Sequence, residues 1–173
     1  MIEIELRFRA GENELEKIEK LGAKLDADYA STDTYFTYGN LKKRKFVLRI
    51  REKNEKALLT FKTSSHAKDI AWNEWENQIE DPKMLMNVLS ASGFKEVVVI
   101  KKKRKQYSYL DYEINLDEIE GLGKFIEIQL MTDKNTSVEV LRDKLADFIN
   151  QNFGVAKNEL IELGYVKLML GEK

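Results

Sequence analysis

Cysteine is absent from this 173-residue chain, and histidine occurs once, as His66. The lack of thiols excludes disulfides, thiolate metal ligands and cysteine nucleophiles. A single histidine also rules out a histidine-rich zinc site and a Ser-His-Asp triad centred elsewhere in the chain. Any metal ion must therefore be held by oxygen or nitrogen ligands. His66 itself lies in a short segment between two predicted strands, where we expect a solvated side chain.

Long apolar runs are missing as well. The chain opens directly with an alternating strand pattern instead of a signal peptide, and no segment approaches the length of a membrane span. Basic residues number 29 and acidic residues 30, whereas a nucleic-acid-binding protein is normally basic. These features predict a soluble cytoplasmic protein that forms a single domain over residues 1–173, with no membrane or nucleic-acid partner.

Proline occurs once, at Pro82, and alternating apolar and polar residues dominate the chain. This pattern predicts strands at residues 2–9, 25–38, 45–53, 56–63, 70–80, 94–107, 108–116 and 124–131, with a turn at Asn54-Glu55. Helical spacing and capping signals predict helices after Asn13, from Asp81-Pro82 to Gly93, from Thr136 to about residue 152, and over 158–170. The predicted fold class is α+β, with about eight mainly antiparallel strands and a few inserted helices.

Most predicted strands have one apolar face and one face of ionisable side chains. The acidic residues on these faces are Glu3, Glu5, Glu74, Glu76, Asp117 and Glu127, and the basic residues are Arg7, Arg49, Arg51, Lys62, Lys102 and Arg104. In any single strand, a solvated outer face would explain the pattern. A sheet of about eight antiparallel strands tends to close, however, because closure removes its edges. If helices cover the apolar faces, the charges must line a lumen that holds water, metal and an anion, because unpaired buried charges are costly.

Short motifs containing these charges recur along almost the whole chain. Glu3-Ile4-Glu5-Leu6-Arg7 is similar to an N-terminal E-x-E-x-K signature, with arginine in place of the lysine. Further motifs are D-T-Y-F at 33–36, L-R-I-R at 48–51, L-T-F-K at 59–62, E-W-E at 74–76 and K-K-R at 102–104, followed by the stretches 116–127 and 164–170. Each motif alone is weak, but together they resemble the CYTH superfamily of triphosphate tunnel metalloenzymes.

This resemblance implies a closed eight-stranded antiparallel β-barrel, with helices packed outside and a triphosphate-binding tunnel inside. It implies that Mg²⁺ or Mn²⁺ is held by Glu3, Glu5, Asp117 and Glu127. The implied triphosphate-binding residues are Arg7, Arg49, Arg51, Lys62, Glu74, Glu76, Lys102 and Arg104, and among them Lys62 and Arg104 are the implied catalytic residues. Hard divalent ions prefer carboxylate oxygens, and guanidinium groups suit phosphate oxygens, so these residue types fit the implied chemistry.

One departure from the family pattern concerns the reaction. Gln129 stands where many triphosphatases of the family have a second glutamate, and the stretch 127–133 resembles the class IV adenylate cyclase branch. The first hypothesis is therefore an enzyme that converts ATP to cyclic AMP and pyrophosphate. The alternatives are a triphosphatase that hydrolyses tripolyphosphate, a nucleotide or another organic triphosphate, and a non-catalytic binder of triphosphate or polyphosphate. Apolar strand faces left uncovered by helices would allow a homodimer.

Overall fold

The computed structural model describes residues 2–39, 46–64, 71–132 and 137–171. Its eight strands are β1 Ile2–Arg9, β2 Lys24–Thr37, β3 Phe46–Lys53, β4 Lys56–Ser64, β5 Ala71–Ile79, β6 Lys95–Tyr109, β7 Tyr112–Ile119 and β8 Gly123–Thr132. They form a closed barrel in the order β1-β5-β4-β3-β2-β6-β7-β8, and each neighbouring pair is antiparallel. The predicted fold class and barrel are confirmed. His66 lies outside the described residues.

Two tight turns connect neighbouring strands, and the sequence pattern predicted one of them but not the other. Asn54 and Glu55 have φ values of 49° and 62°, which matches the left-handed backbone of a two-residue hairpin turn and confirms the predicted turn. The strand predicted at 108–116 exists from Tyr112 onwards, but its predicted start is wrong, because the chain turns at Leu110 and Asp111 and Tyr109 pairs with Tyr112. Leu110 adopts a φ of 50°, a conformation that leucine disfavours, so its sequence carried no turn signal.

The helices are α1 Glu14–Lys20, α2 Pro82–Ala91, α3 Val138–Phe153 and α4 Tyr165–Met169. The predicted start of α2 is confirmed, since the Asp81 carboxylate accepts a hydrogen bond of 2.8 Å from the backbone N–H of Met84. The capping box predicted at Asn13 is wrong, because this side chain makes no capping hydrogen bond. Ser137 is the N-cap residue of α3, and the predicted cap Thr136 lies outside the described residues.

The C-terminal segment differs from its prediction. The helix expected over 158–170 is replaced by a short 3-10 turn at Lys157–Glu159, an extended stretch, and α4. In the extended stretch the backbone N–H of Ile161 donates to the carbonyl oxygen of Arg7 at 2.7 Å. This tertiary bond overrides the local helical pattern and directs α4 towards the barrel.

The outer faces of the strands are apolar and are covered by helices. Ile4, Leu6 and Phe8 of β1 are buried beneath α3, together with Ile114, Ile126, Ile128, Leu145, Ile149 and Phe153. Leu48 and Ile50 of β3 are covered by α2. On the remaining outer wall, Phe61 and Trp75 lie with ring centroids 6.1 Å apart, and Trp75 is 58% exposed. The homodimer stays a prediction that this uncovered aromatic surface allows.

The helix α4 packs against the inner faces of the strands at one end of the barrel. Its residues Tyr165 and Val166 are buried against Tyr35, Ile100, Ile119 and Phe125. These four residues share the inner faces with Asp33, Lys102, Asp117 and Glu127, because side chains two positions apart point to the same side of a strand. The tunnel is therefore apolar at the end filled by α4 and charged next to it. None of the described helices is long and apolar enough to cross a membrane.

Candidate functional site: a charged tunnel inside the barrel

The tunnel wall carries charged side chains from every strand, and most of them are buried. Glu3, Glu5, Arg7, Arg49, Lys102, Arg104, Asp117 and Glu127 are buried, and Arg51 and Lys62 are almost as enclosed. The side chains of Glu74 and Glu76 are 29% and 39% exposed, so the tunnel reaches solvent beside β5. The structure thus brings all of the predicted site residues to one inner surface, while their chemical roles stay predictions.

The first group of charges surrounds Glu127. Arg7 donates to Glu127 at 2.9 Å and to Glu5 at 2.6 Å, and Arg104 donates to Glu127 at 2.8 Å. Arg104 also makes two hydrogen bonds of 2.6 Å to Asp117. Although burial alone would raise it, Arg7 and Arg104 hold the pKa of Glu127 well below its usual value. Glu127 is therefore a carboxylate over the whole physiological pH range.

Tyr165 joins α4 to this group. Its hydroxyl donates to Asp117 at 2.9 Å, and the Arg7 guanidinium lies 4.9 Å from the centroid of its ring. Burial, followed by the nearby Glu127 and Asp117, raises the pKa of Tyr165 well above its usual value, so the hydroxyl keeps the proton that it donates. Arg7 also donates to the carbonyl oxygen of Leu163 at 2.5 Å. The C-terminal segment is thus held by the charges of the tunnel as well as by apolar packing.

A second group is built around Asp33, which lies in the D-T-Y-F motif at 33–36 and had no predicted role. Arg51 donates two hydrogen bonds of 2.7 Å to Asp33, and Arg49 lies 3.6 Å from the same carboxylate. Burial would raise the pKa of Asp33, but Arg51 and Arg49 hold it well below its usual value. Arg49 also donates to Thr60 at 2.9 Å. Asp33 thereby fixes the direction of two guanidinium groups that face the tunnel.

A third group contains Glu3, Lys62 and Glu74. Lys62 Nζ lies 3.0 Å from Glu3 and 2.8 Å from Glu74, and so bridges β1 and β5. Burial raises the pKa of Glu3 well above its usual value, and the neighbouring Glu5 and Glu74 add to this effect against the attraction of Lys62. The raised pKa reflects mainly the cost of burying the charged form of this carboxylate.

Several polar groups in the tunnel have no partner. Ser31 Oγ and Arg49 Nε are buried without a hydrogen bond. Lys102, which is paired with Ser31 across β2 and β6, has its ammonium group 3.9 Å from Asp33. Burial and the neighbouring Arg104 lower the pKa of Lys102 to about 7. Buried donors of this kind normally have an acceptor, so the wall between β2, β3 and β6 is suited to an anion.

The four predicted metal ligands are distributed over two of these groups. Glu3 is paired with Lys62, Glu5 with Arg7, and Asp117 and Glu127 with Arg104. Across residues 2–39, 46–64, 71–132 and 137–171, no three acidic or histidine side chains lie close enough to share a metal ion. The donor chemistry nevertheless fits Mg²⁺ or Mn²⁺, because carboxylate oxygens are the ligands these ions prefer and a cation would offset the cost of burying the charge of Glu3.

A family model for the CYTH domain matches residues 1–165. The chain belongs to the CYTH family. It is 29% identical over 174 residues to "Putative adenylate cyclase MJ0240" of Methanocaldococcus jannaschii, an alignment that covers 97% of this chain and 98% of that protein. The solved structure of PH1819 from Pyrococcus horikoshii OT3 superposes with a TM-score of 0.85 and 29% identity, over 99% of both chains.

A more distant solved structure shares the fold. HpAC1 from Hippeastrum, named a putative adenylyl cyclase and described as having a dominant triphosphatase activity, superposes with a TM-score of 0.66. Its identity is 19%, over 99% of this chain and 96% of that one. At this identity the likeness establishes the architecture of the barrel alone.

Proposed function

We propose that the tunnel binds a triphosphate together with Mg²⁺ or Mn²⁺ and converts ATP to cyclic AMP and pyrophosphate. The observation that carries the proposal is the pair of unpartnered donors on the buried wall, Ser31 Oγ and Arg49 Nε, beside the Lys102 ammonium group, which lies 3.9 Å from Asp33. Donors and cations that converge in an enclosed space favour a ligand with several negative oxygens. A triphosphate has that chemistry, and the similarity to a protein named as an adenylate cyclase supports ATP.

The roles of the basic residues follow from how they are held. Asp33 orients Arg49 and Arg51. Glu127 orients Arg7 and Arg104. Glu3 and Glu74 orient Lys62. These five residues and Lys102 would contact the phosphate oxygens. Lys62 and Arg104 would be the catalytic pair that stabilises charge on the reacting phosphoryl group, while Glu74 and Glu76 position Lys62 and Thr60. Groups fixed beforehand lose little free energy to reorganisation when that charge develops.

The metal ion would be held by Glu3, Glu5, Asp117 and Glu127. When bound, it would neutralise charge on the phosphates and favour in-line displacement of pyrophosphate by the ribose 3′ hydroxyl. Gln129, two positions from Glu127 on the inner face of β8, donates from its amide to Glu127 at 3.3 Å. It therefore constrains Glu127 instead of supplying a second charged ligand, which supports the cyclase over a two-metal hydrolase.

The second candidate is triphosphate hydrolysis, supported by the activity described for HpAC1, which shares this fold. One product analysis separates the candidates: pure protein is incubated with Mg²⁺ or Mn²⁺ and either ATP or tripolyphosphate. Cyclic AMP with pyrophosphate is expected. Orthophosphate would establish the triphosphatase instead, and tight binding without turnover would establish a non-catalytic binder.

The lowered pKa of Lys102 predicts that triphosphate binding takes up a proton. The ionisable groups that set this pKa are Arg104, Asp117, Arg51 and Asp33. Below pH 7 Lys102 is charged both in the free and in the bound tunnel, so it adds no pH dependence. Above about pH 7 the free side chain loses its proton and must regain it on binding, because phosphate raises its pKa again. The dissociation constant of tripolyphosphate should therefore rise by up to about tenfold per pH unit.

This prediction is checked by titration calorimetry of tripolyphosphate without divalent ions, at pH 6 to 9 and in two buffers of different ionisation enthalpy. The matched control is Lys102→Arg, whose guanidinium stays charged over this range and which also reports protonation of the ligand itself. Equal proton uptake by the two proteins at pH 8 would show that Lys102 is already fully charged in the free tunnel.

A further inference from the structure

Beyond the phosphate-binding charges, the inner face of the barrel has a layer in which two amide side chains are hydrogen-bonded to one carboxylate. Along β7 the inward residues follow one another from the α4 end in the order Ile119, Asp117, Asn115 and Glu113. Gln106 of β6 lies directly opposite Asn115, and Glu127 of β8 lies opposite it on the other side. We call Gln106, Glu113 and Asn115 the amide layer. It adjoins the group around Glu127 on the side away from α4.

The hydrogen bonds of the amide layer all point towards Glu113. Gln106 donates to one carboxylate oxygen of Glu113 at 2.7 Å, and the Asn115 amide nitrogen donates to the other at 2.8 Å. Asn115 is completely buried, yet its side-chain oxygen Oδ1 has no partner. Since Glu113 fixes the nitrogen end of this amide, the oxygen end is held as an acceptor that nothing in the described protein uses.

The acceptor character of this layer decides what it can bind. A carboxylate and a free amide oxygen repel phosphate oxygens but accept hydrogen bonds from hydroxyl or amino groups. The layer adjoins the charges that would hold the phosphates, because Asn115 and Glu127 are neighbours across β7 and β8. A ligand that reaches both places must therefore combine phosphates with an organic part that carries N–H or O–H donors.

We propose that Asn115, oriented by Glu113 and Gln106, is a subsite for a hydroxyl or amino group on the organic part of a nucleoside triphosphate. This inference rests on the proposed function, because the proposed function places the phosphates at the charges next to the amide layer. It adds a selectivity: the protein prefers a nucleoside triphosphate to inorganic tripolyphosphate. It also makes Asn115 a specificity residue, with Glu113 and Gln106 as positioning residues.

The test measures equilibrium binding of ATP and of tripolyphosphate to the wild-type protein and to Asn115→Leu, in EDTA so that no turnover occurs. The variant should bind ATP about tenfold more weakly, as expected for one buried hydrogen bond, while its affinity for tripolyphosphate changes less than about twofold. Equal weakening of both ligands, or of neither, would overturn the inference. If wild-type protein binds neither ligand, the proposed function itself fails.

A second arm does not depend on whether Asn115→Leu folds. ATP analogues that lack the 2′ hydroxyl, the 3′ hydroxyl or the exocyclic amine are compared with ATP on the wild-type protein. One of them should bind about tenfold more weakly, and Gln106→Met, which loosens Glu113, should reduce that difference. If all three analogues bind as ATP does, Asn115 does not contact the nucleoside and the subsite is excluded.

Discussion

Replacing Glu5 with glutamine is expected to lower turnover at least about a hundredfold while the fold stays intact. Glu5 is buried in the tunnel wall and is a proposed metal ligand, so loss of its charge weakens the hold on the divalent ion. Arg7, its ion-pair partner at 2.6 Å, keeps its bonds to Glu127 and Leu163, so no buried charge is left alone. The variant should therefore unfold close to the wild-type temperature.

The measurement is the turnover rate with ATP at several concentrations of Mg²⁺ and Mn²⁺, together with thermal unfolding. A suitable control is Glu118→Gln, because Glu118 is an exposed glutamate on the outer face of β7 next to Asp117. Its turnover should match that of the wild type. Undiminished activity of Glu5→Gln would remove Glu5 from the metal assignment.

Replacing Arg104 with methionine is expected to lower the free energy of unfolding by about 3–5 kcal/mol, the usual effect of removing one partner from a buried ion pair. Arg104 is buried and makes two hydrogen bonds to Asp117 and one to Glu127. Without it, Asp117 keeps the Tyr165 hydroxyl but no cation within hydrogen-bonding distance. A carboxylate in that position is strongly disfavoured.

Urea unfolding of the wild type, Arg104→Met and Arg104→Met/Asp117→Asn checks this prediction. The double variant should recover part of the lost stability, because the uncompensated carboxylate is gone. Lys103→Met serves as the control on the same strand, since Lys103 is exposed on the outer face and should change stability by less than about 0.5 kcal/mol. A single variant as stable as this control would mean that the network around Glu127 contributes little.

The architecture was largely predictable because alternate residues of each barrel strand face opposite sides of the wall, and the two sides differ in polarity. On β1 and β8 every second residue is apolar and covered by α3, and most of the residues between them, such as Glu5, Arg7 and Glu127, are charged and face inward. Two features were not predictable. The turn at Leu110 has none of the usual turn residues on its left-handed position, and the segment before α4 is set by a backbone bond between Ile161 and Arg7. The first closes a local hairpin between Tyr109 and Tyr112, whereas the second depends on a contact distant in sequence.

The candidate site was predictable as a set of charges but not as a set of pairs. The strand pattern shows that Arg51 and Arg104 face inward, yet only the barrel register shows that Asp33 and Asp117 are their partners. Asp33, Tyr165 and Asn115 were given no role in advance, although the first two lie in motifs shared with the family. The signal for Asn115 was its position on β7 two residues before Asp117, which places both on the inner face.

The central claim is that charges from different strands form one enclosed site for a triphosphate and its divalent ions. A crystal structure of the protein soaked with tripolyphosphate and Mn²⁺, with the anomalous signal of manganese recorded, tests it most directly. The phosphate chain should lie inside the barrel against Arg49 and Lys102, with a manganese peak beside Glu3 and Glu5. Phosphate bound on the outer wall, with no manganese inside the tunnel, would contradict it.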